Sequence, residues 1–258
     1  MKKFSGLMLL GCSALALAGC GADDIASPGA GSVVVNNGGG TPTPTPTPTT
    51  GIIEAAAECP TFNATGGLSN DGTIEDPNGN SWRICTLPAL VDASSSLPNE
   101  AGVLYRINGR VDVGCDGGFS VPSSGSPYTT TTDSCLNAGI SSLTSDTSVE
   151  LTIDPGVIVY AENAADPAWL AVNRGNTIDA NGTADRPIVF TSRDNVLGLN
   201  NANSSGQWGG VVLSGRAPVT DCIAPGATPG TTACERQVEG AAQPALFGGA
   251  TVDDSSGS

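Results

Sequence analysis

LTIDPGVIVYA (residues 151–161) is answered, nineteen residues after its start, by LAVNRGNTIDA (residues 170–180). Aligned, Leu151 meets Leu170, Ile153 meets Val172 and Asp154 meets Asn173. Gly156 meets Gly175, Val159 meets Ile178 and Ala161 meets Ala180. Apolar and polar residues alternate on either side of a glycine, which reads as short strands separated by corners. A unit returning near every twenty residues points to a solenoid, whose coils bury their inner faces only by stacking. Under that reading Leu151 over Leu170, Ile153 over Val172 and Val159 over Ile178 are inward stacks about 4.8 Å apart. Gly156 and Gly175 mark a corner of positive φ, with Asp154 and Asn173 capping backbone groups there. The expected fold is all-β, a right-handed parallel β-helix. The competing reading is a β-sandwich, which also uses short strands but gives no reason for the register.

Working outward, VLYRINGRVDV (residues 103–113) alternates apolar and polar positions, as do VELTI (149–153), WLAV (169–172), PIVFTS (187–192) and WGGVVLSG (208–215). No window sustains a 3.6-residue period, so helix content is expected to be low. LTIDPGVIVYA, GTADRPIVFTS (182–192) and QWGGVVLSGRAPV (207–219), in that order, resemble a family of bacterial secreted and surface β-helix lipoproteins. That family carries LTI-x-PG, GTA-x-x-PIVFTS and WGG-hydrophobic rungs. The resemblance covers roughly residues 100 to 258 and implies fold and location. It implies no activity, since the family mostly lacks an assigned biochemical role. In relatives, a segment comparable to FGGATVDDSSGS (247–258) leads into further rungs. The β-helix domain, residues 101–258, is therefore expected to be the incomplete N-terminal part of a longer one.

The other end of the chain predicts how the domain is held. MKKFSGLMLLGCSALALAGC has a basic start, a short apolar stretch and small residues before Cys20. This resembles a bacterial lipobox, with residues 1–19 as signal peptide and Cys20 as the acylated residue. Aspartate after the cysteine tends to retain such proteins at the inner membrane; Gly21 here points to the outer membrane. Residues 20–52 form a linker with a Thr-Pro repeat at 41–50, which favours extended polyproline II and reads as a stalk. The expected location is the cell outer membrane, lipid-anchored and facing outward. In that oxidising setting disulfides persist. Cys59 with Cys85, Cys115 with Cys135 and Cys222 with Cys234 is the simplest of fifteen possible pairings. The first pair lies in, or bounds, a disulfide-bearing segment at residues 53–100.

Composition narrows the chemistry. The chain carries net charge −15, with eight arginines after Lys3 against 25 acids, which excludes nucleic acid as a natural partner. The absence of histidine removes the usual Ser-His-Asp and Cys-His arrangements. No catalytic residue is assigned. An enzyme of this shape would resemble polysaccharide lyases, which use Asp-bound Ca²⁺ and a basic residue. Asp154, Asp179, Asp185 and Asp194 would then be the carboxylates, with Arg174, Arg186 or Arg193 as base. Asp253-Asp254 is an adjacent acid pair, and strand alternation would point its two side chains apart. Asp71, Glu75, Asp76 and Asn78 are hard oxygen donors in a glycine-bearing loop that suits Ca²⁺; turn chemistry explains the same residues without a metal. Trp169, next to inward Leu170, should face outward and is the candidate surface contact. The function expected is an envelope binding or scaffolding module for a glycan or surface protein. Its rival is a calcium-dependent polysaccharide-cleaving enzyme.

Overall fold

The computed structural model describes residues 51–163, 167–241 and 243–249. The expected signal peptide at residues 1–19, Cys20, the Thr-Pro repeat and Asp253-Asp254 lie outside the described residues. Among those described, strands predominate and no helix is long and apolar enough to cross a membrane.

The hairpin β1 (Ser69–Glu75) and β2 (Ser81–Thr86) is antiparallel. Its turn is built on Asp76, whose Oδ1 accepts from the Asn78 and Asn80 amides at 2.8 and 3.0 Å. After it come β3 (Leu90–Val91), β4 (Ser95–Leu97), β5 (Val103–Ile107) and β6 (Arg110–Val113). An excursion holds β7 (Tyr128–Thr129), the helix α1 (Asp133–Asn137) and β8 (Ser142–Leu143). Then follow β9 (Glu150–Ile153), β10 (Ile158–Ala161), β11 (Trp169–Val172), β12 (Thr177–Asp179) and β13 (Val189–Ser192). The chain goes on through α2 (Arg193–Val196), β14 (Gly210–Leu213) and the antiparallel pair β15 (Glu235–Gln237) and β16 (Leu246–Gly248).

From β2 to β14, setting aside the excursion, the chain visits three parallel sheets in strict rotation. The first sheet runs β2-β5-β10-β13, the second β3-β6-β11-β14 and the third β4-β9-β12. A sandwich of two antiparallel sheets is a different arrangement. β1 lies antiparallel at the edge of the first sheet, and the first parallel strands of all three sheets lie within residues 81–97, inside the segment the sequence sets apart as disulfide-bearing. Strands of two and three residues, such as Leu90–Val91 and Ser95–Leu97, are too short to show a period. Residues 103–113, read as one alternating run, are two strands in two sheets, divided at Gly109 with φ +79°.

The core is the set of side chains turned between the sheets. Cys85, Tyr105 and Val159 stand in one row of the first sheet, with Phe190 packed against the same cluster. Val91, Val113 and Val172 form a row in the second sheet, and Leu97 and Ile153 one in the third. Each such aliphatic chain contributes about 1.5–3 kcal/mol on burial.

The nineteen-residue register does not stack as expected. Leu151 pairs with Ile178, and Leu170 pairs with Val111 and Val211. The residues expected to turn inward do so, but Leu151 and Leu170 lie in different sheets. What repeats is a strand–corner–strand unit used at two edges, β9 to β10 and β11 to β12. Both corners are four-residue turns, with Val157 N–H donating to Asp154 O at 3.2 Å and Asn176 N–H to Asn173 O at 3.1 Å. The third residue of each is glycine, with φ +88° at Gly156 and +85° at Gly175, the conformation a type II turn requires. Like corners need like residues, so the sequence repeats without the repeat being one full circuit.

The three disulfides join Cys59 to Cys85, Cys115 to Cys135 and Cys222 to Cys234, the sequence-neighbour pairing. Each closes a loop of 12 to 26 residues, worth about 3 kcal/mol through the unfolded chain.

Candidate functional site

The outer face of the second sheet carries the most developed site. Trp169 sits between Arg110 on β6 and Gly210 on β14 in one cross-strand row, and Asp112 and Ala171 stand in the next. Strand alternation turns Trp169 away from the core that Leu170 enters, as expected. It is not openly exposed, however, retaining 9% of its surface. The cover is the segment around β15 and β16, from which Val238, Ala241 and Ala245 pack with Trp169 and Ala171. Local alternation gives the direction of a side chain but cannot foresee a segment folding back from seventy residues away.

Gly209 makes room for the ring. A Cβ on Gly209 would stand 2.9 Å from Trp169 Cβ, while one on Gly210 would meet nothing within 4 Å. Between the indole and the covering segment lies a cleft of about 340 Å³, whose lining includes Arg110, Trp169, Gly209, Val238, Glu239 and Gln243. The Arg110 guanidinium lies over the indole, 4.5 Å from the ring centroid, a cation–π contact worth about 0.5–2 kcal/mol. Arg110 is itself fixed: Nε donates to Asp112 Oδ1 at 2.8 Å and Nη1 to Pro244 O at 2.7 Å. Asp112, 1% exposed, also accepts from Ser134 Oγ at 2.7 Å and Asn173 Nδ2 at 2.9 Å. The platform is thus held by a fully engaged buried carboxylate.

Behind it lies a set of ion pairs that sequence reasoning missed. Arg174, 0% exposed, donates through Nε and Nη2 to the two Asp116 oxygens at 2.7 and 2.6 Å. Its Nη1 donates to Glu235 Oε2 at 2.8 Å and Gly248 O at 3.0 Å. Burial pulls the Arg174 guanidinium down, but the hydrogen bonds and charges of Asp116 and Glu235 outweigh it and hold it above its ordinary range. A base must release its proton, so this environment works against Arg174 in that role. Arg216 donates to Gly118 O at 2.7 Å and pairs with Asp146. Residues 115–118, the corner after β11 and the β15–β16 pair are tied together by these contacts. The one available signal was that arginine is scarce in an acidic chain: Arg106, Arg110, Arg174, Arg193, Arg216 and Arg236 all stand in ion pairs.

The remaining sequence candidates are dispersed. Asp71 pairs with Arg106, which also reaches Glu162 at 3.5 Å, and Glu162 pairs with Arg193 at 3.2 Å. Asp194 accepts from Gln207 Nε2 at 3.0 Å, and Asp179 accepts from Asn181. Asp185 is exposed, and the Thr183 hydroxyl bonded to it holds its carboxyl below the usual range. Asp154 occupies its corner and Arg186 is exposed. Of the four loop oxygens proposed for Ca²⁺, Asp71 is in its ion pair, Asp76 in its own turn, and Glu75 and Asn78 are exposed. Among the described residues no three acidic, histidine or cysteine side chains gather as a metal site would need.

With this geometry established, comparison adds one likeness. A family model described as a pectate-lyase like beta helix domain matches residues 131–258, which include Trp169, Arg174 and the covering segment. Over those residues the chain is similar to that β-helix family, in keeping with its parallel sheets. No curated protein and no solved structure matches the chain.

Proposed function

We propose that this protein is an outer-membrane lipoprotein whose β-helix domain binds glycan of the cell envelope in the Trp169 cleft. Acyl chains on Cys20 hold it to the membrane, and the Thr-Pro stalk carries the domain outward. The three sheets wind as a right-handed parallel β-helix, the hand that parallel crossovers almost always take.

The observation that carries the reading is an indole braced by Arg110 beside a cleft of about 340 Å³. That volume lies at the lower end of the roughly 300–1,000 Å³ of ligand pockets, enough for one or two sugar rings. The part of the indole left uncovered lines the cleft and can meet the apolar face of a sugar, and Glu239 and Gln243 supply polar partners for hydroxyls. The similarity to a pectate-lyase-like domain supports a polysaccharide-related role. The test is binding of the full chain to an envelope-glycan array, with and without Trp169→Ala. Loss of a contact of this kind should weaken binding at least about tenfold, about 1.4 kcal/mol. Unchanged binding of every glycan by Trp169→Ala would remove the site from the account. Cys20→Ser should release the protein from the membrane fraction.

The same family likeness keeps a second reading, cleavage of an acidic polysaccharide. Its place would be the chain Asp71–Arg106–Glu162–Arg193, where the Arg193 side chain is 42% exposed. Polygalacturonate incubated with the full chain and Ca²⁺ would then give unsaturated products, and Arg193→Ala would abolish them.

A further inference from the structure

We infer that the Trp169 cleft selects neutral sugars and discriminates against uronates. This rests on the glycan-binding reading and names its ligand class. The cleft's cation has no free edge to offer. Recognition of a carboxylate by arginine uses two parallel N–H groups of one guanidinium edge. In Arg110, Nε bonds Asp112 and Nη1 bonds the Pro244 carbonyl. Nη2 lies 2.7 Å from Asp112 Oδ1 and has no surface left for a ligand. The guanidinium therefore presents its flat face to the indole and turns its donors toward the protein.

The charge around the cleft points the same way. Asp112 already balances Arg110. On the covering segment Glu239, whose side chain is 88% exposed, shares Arg236 with Asp221, at 3.2 and 3.4 Å. Two guanidiniums thus stand against three carboxylates, and the lining residue Glu239 is an exposed anion. The chain as a whole carries −15. A uronate entering here meets like charge on all scales and no donor pair to offset its desolvation. A neutral sugar keeps the indole contact and the polar atoms of Gln243 and Glu239 without that cost.

The experiment titrates the full chain, by calorimetry, with neutral hexasaccharides of glucose, galactose, mannose and xylose and with hexagalacturonate. At least one neutral hexasaccharide should bind at least about tenfold more tightly than hexagalacturonate, with an affinity that added salt leaves unchanged. Trp169→Ala should weaken that binding. Glu239→Lys, which puts a cation at an exposed rim position, should strengthen hexagalacturonate binding and narrow its gap to the neutral ligand. If hexagalacturonate binds best and Trp169→Ala weakens it, the cleft is a glycan site and the selectivity is wrong. If Trp169→Ala changes nothing in a protein that still melts cooperatively, or no oligosaccharide binds, the glycan-binding reading itself falls.

Discussion

Arg174→Met is the perturbation whose size follows most directly from the structure. Methionine keeps much of the side-chain volume and removes the charge. Asp116, 3% exposed, then loses both bonds to its carboxylate from Arg174 and keeps only the Gly118 amide, at 3.2 Å. Glu235 loses its partner at 2.8 Å, and the Gly248 carbonyl loses a donor. Removing one member of a buried pair costs about 3–5 kcal/mol, because the other charge stays buried without compensation. For a domain of this size that lowers the melting temperature by roughly 6–20 °C. Urea unfolding followed by tryptophan fluorescence measures it, with Arg186→Met as the exposed comparison at about 0.5 kcal/mol or less. Adding Asp116→Leu to Arg174→Met should recover part of the loss, since the uncompensated carboxylate goes too. If Arg174→Met matched Arg186→Met, or if the double variant were simply the sum of two losses, the clamp would not be a stabilising unit.

Two further outcomes follow from local geometry. Gly175→Ala should destabilise by about 1–2 kcal/mol, since φ is +85° and the new methyl would run into the Asp146 side chain; thermal melts against an alanine at open Gly125 check this. Asp76 gives a pH dependence. Burial raises its carboxyl, but the hydrogen bonds from Asn80 and Asn78 outweigh that and hold it below 3.8. A depressed folded-state value stabilises above the unfolded value and is lost as pH falls through the folded one. Asp76→Asn should therefore be less stable than the parent at neutral pH, with the gap closing below pH 3.8; urea midpoints across that range measure it.

The corners were the legible part of the fold. Gly156 and Gly175 announced themselves because only glycine takes a positive φ there without strain, and the disulfides because neighbouring cysteines close short loops. The circuit length was not legible. Leu151 pairs with Ile178 across 27 residues of chain, whereas Leu170 reaches Val111 across 59; an inserted excursion lengthens one circuit and leaves the corners alike. Trp169 was legible in direction only, because its cover comes from residues 235–248. Arg174 was legible only as a possible base, not as the centre of a buried clamp. Its partners Asp116 and Glu235 lie 58 and 61 residues away, and no local pattern connects them.

The measurement closest to the central claim is hydrogen exchange of the full chain with and without a saturating neutral envelope oligosaccharide. Added protection is expected only in the strands and loops around the cleft, at residues 108–113, 168–172, 208–213, 235–241 and 243–245. Protection centred instead on Asp71, Arg106, Glu162 and Arg193, or none under conditions where the sugar demonstrably binds, would contradict it.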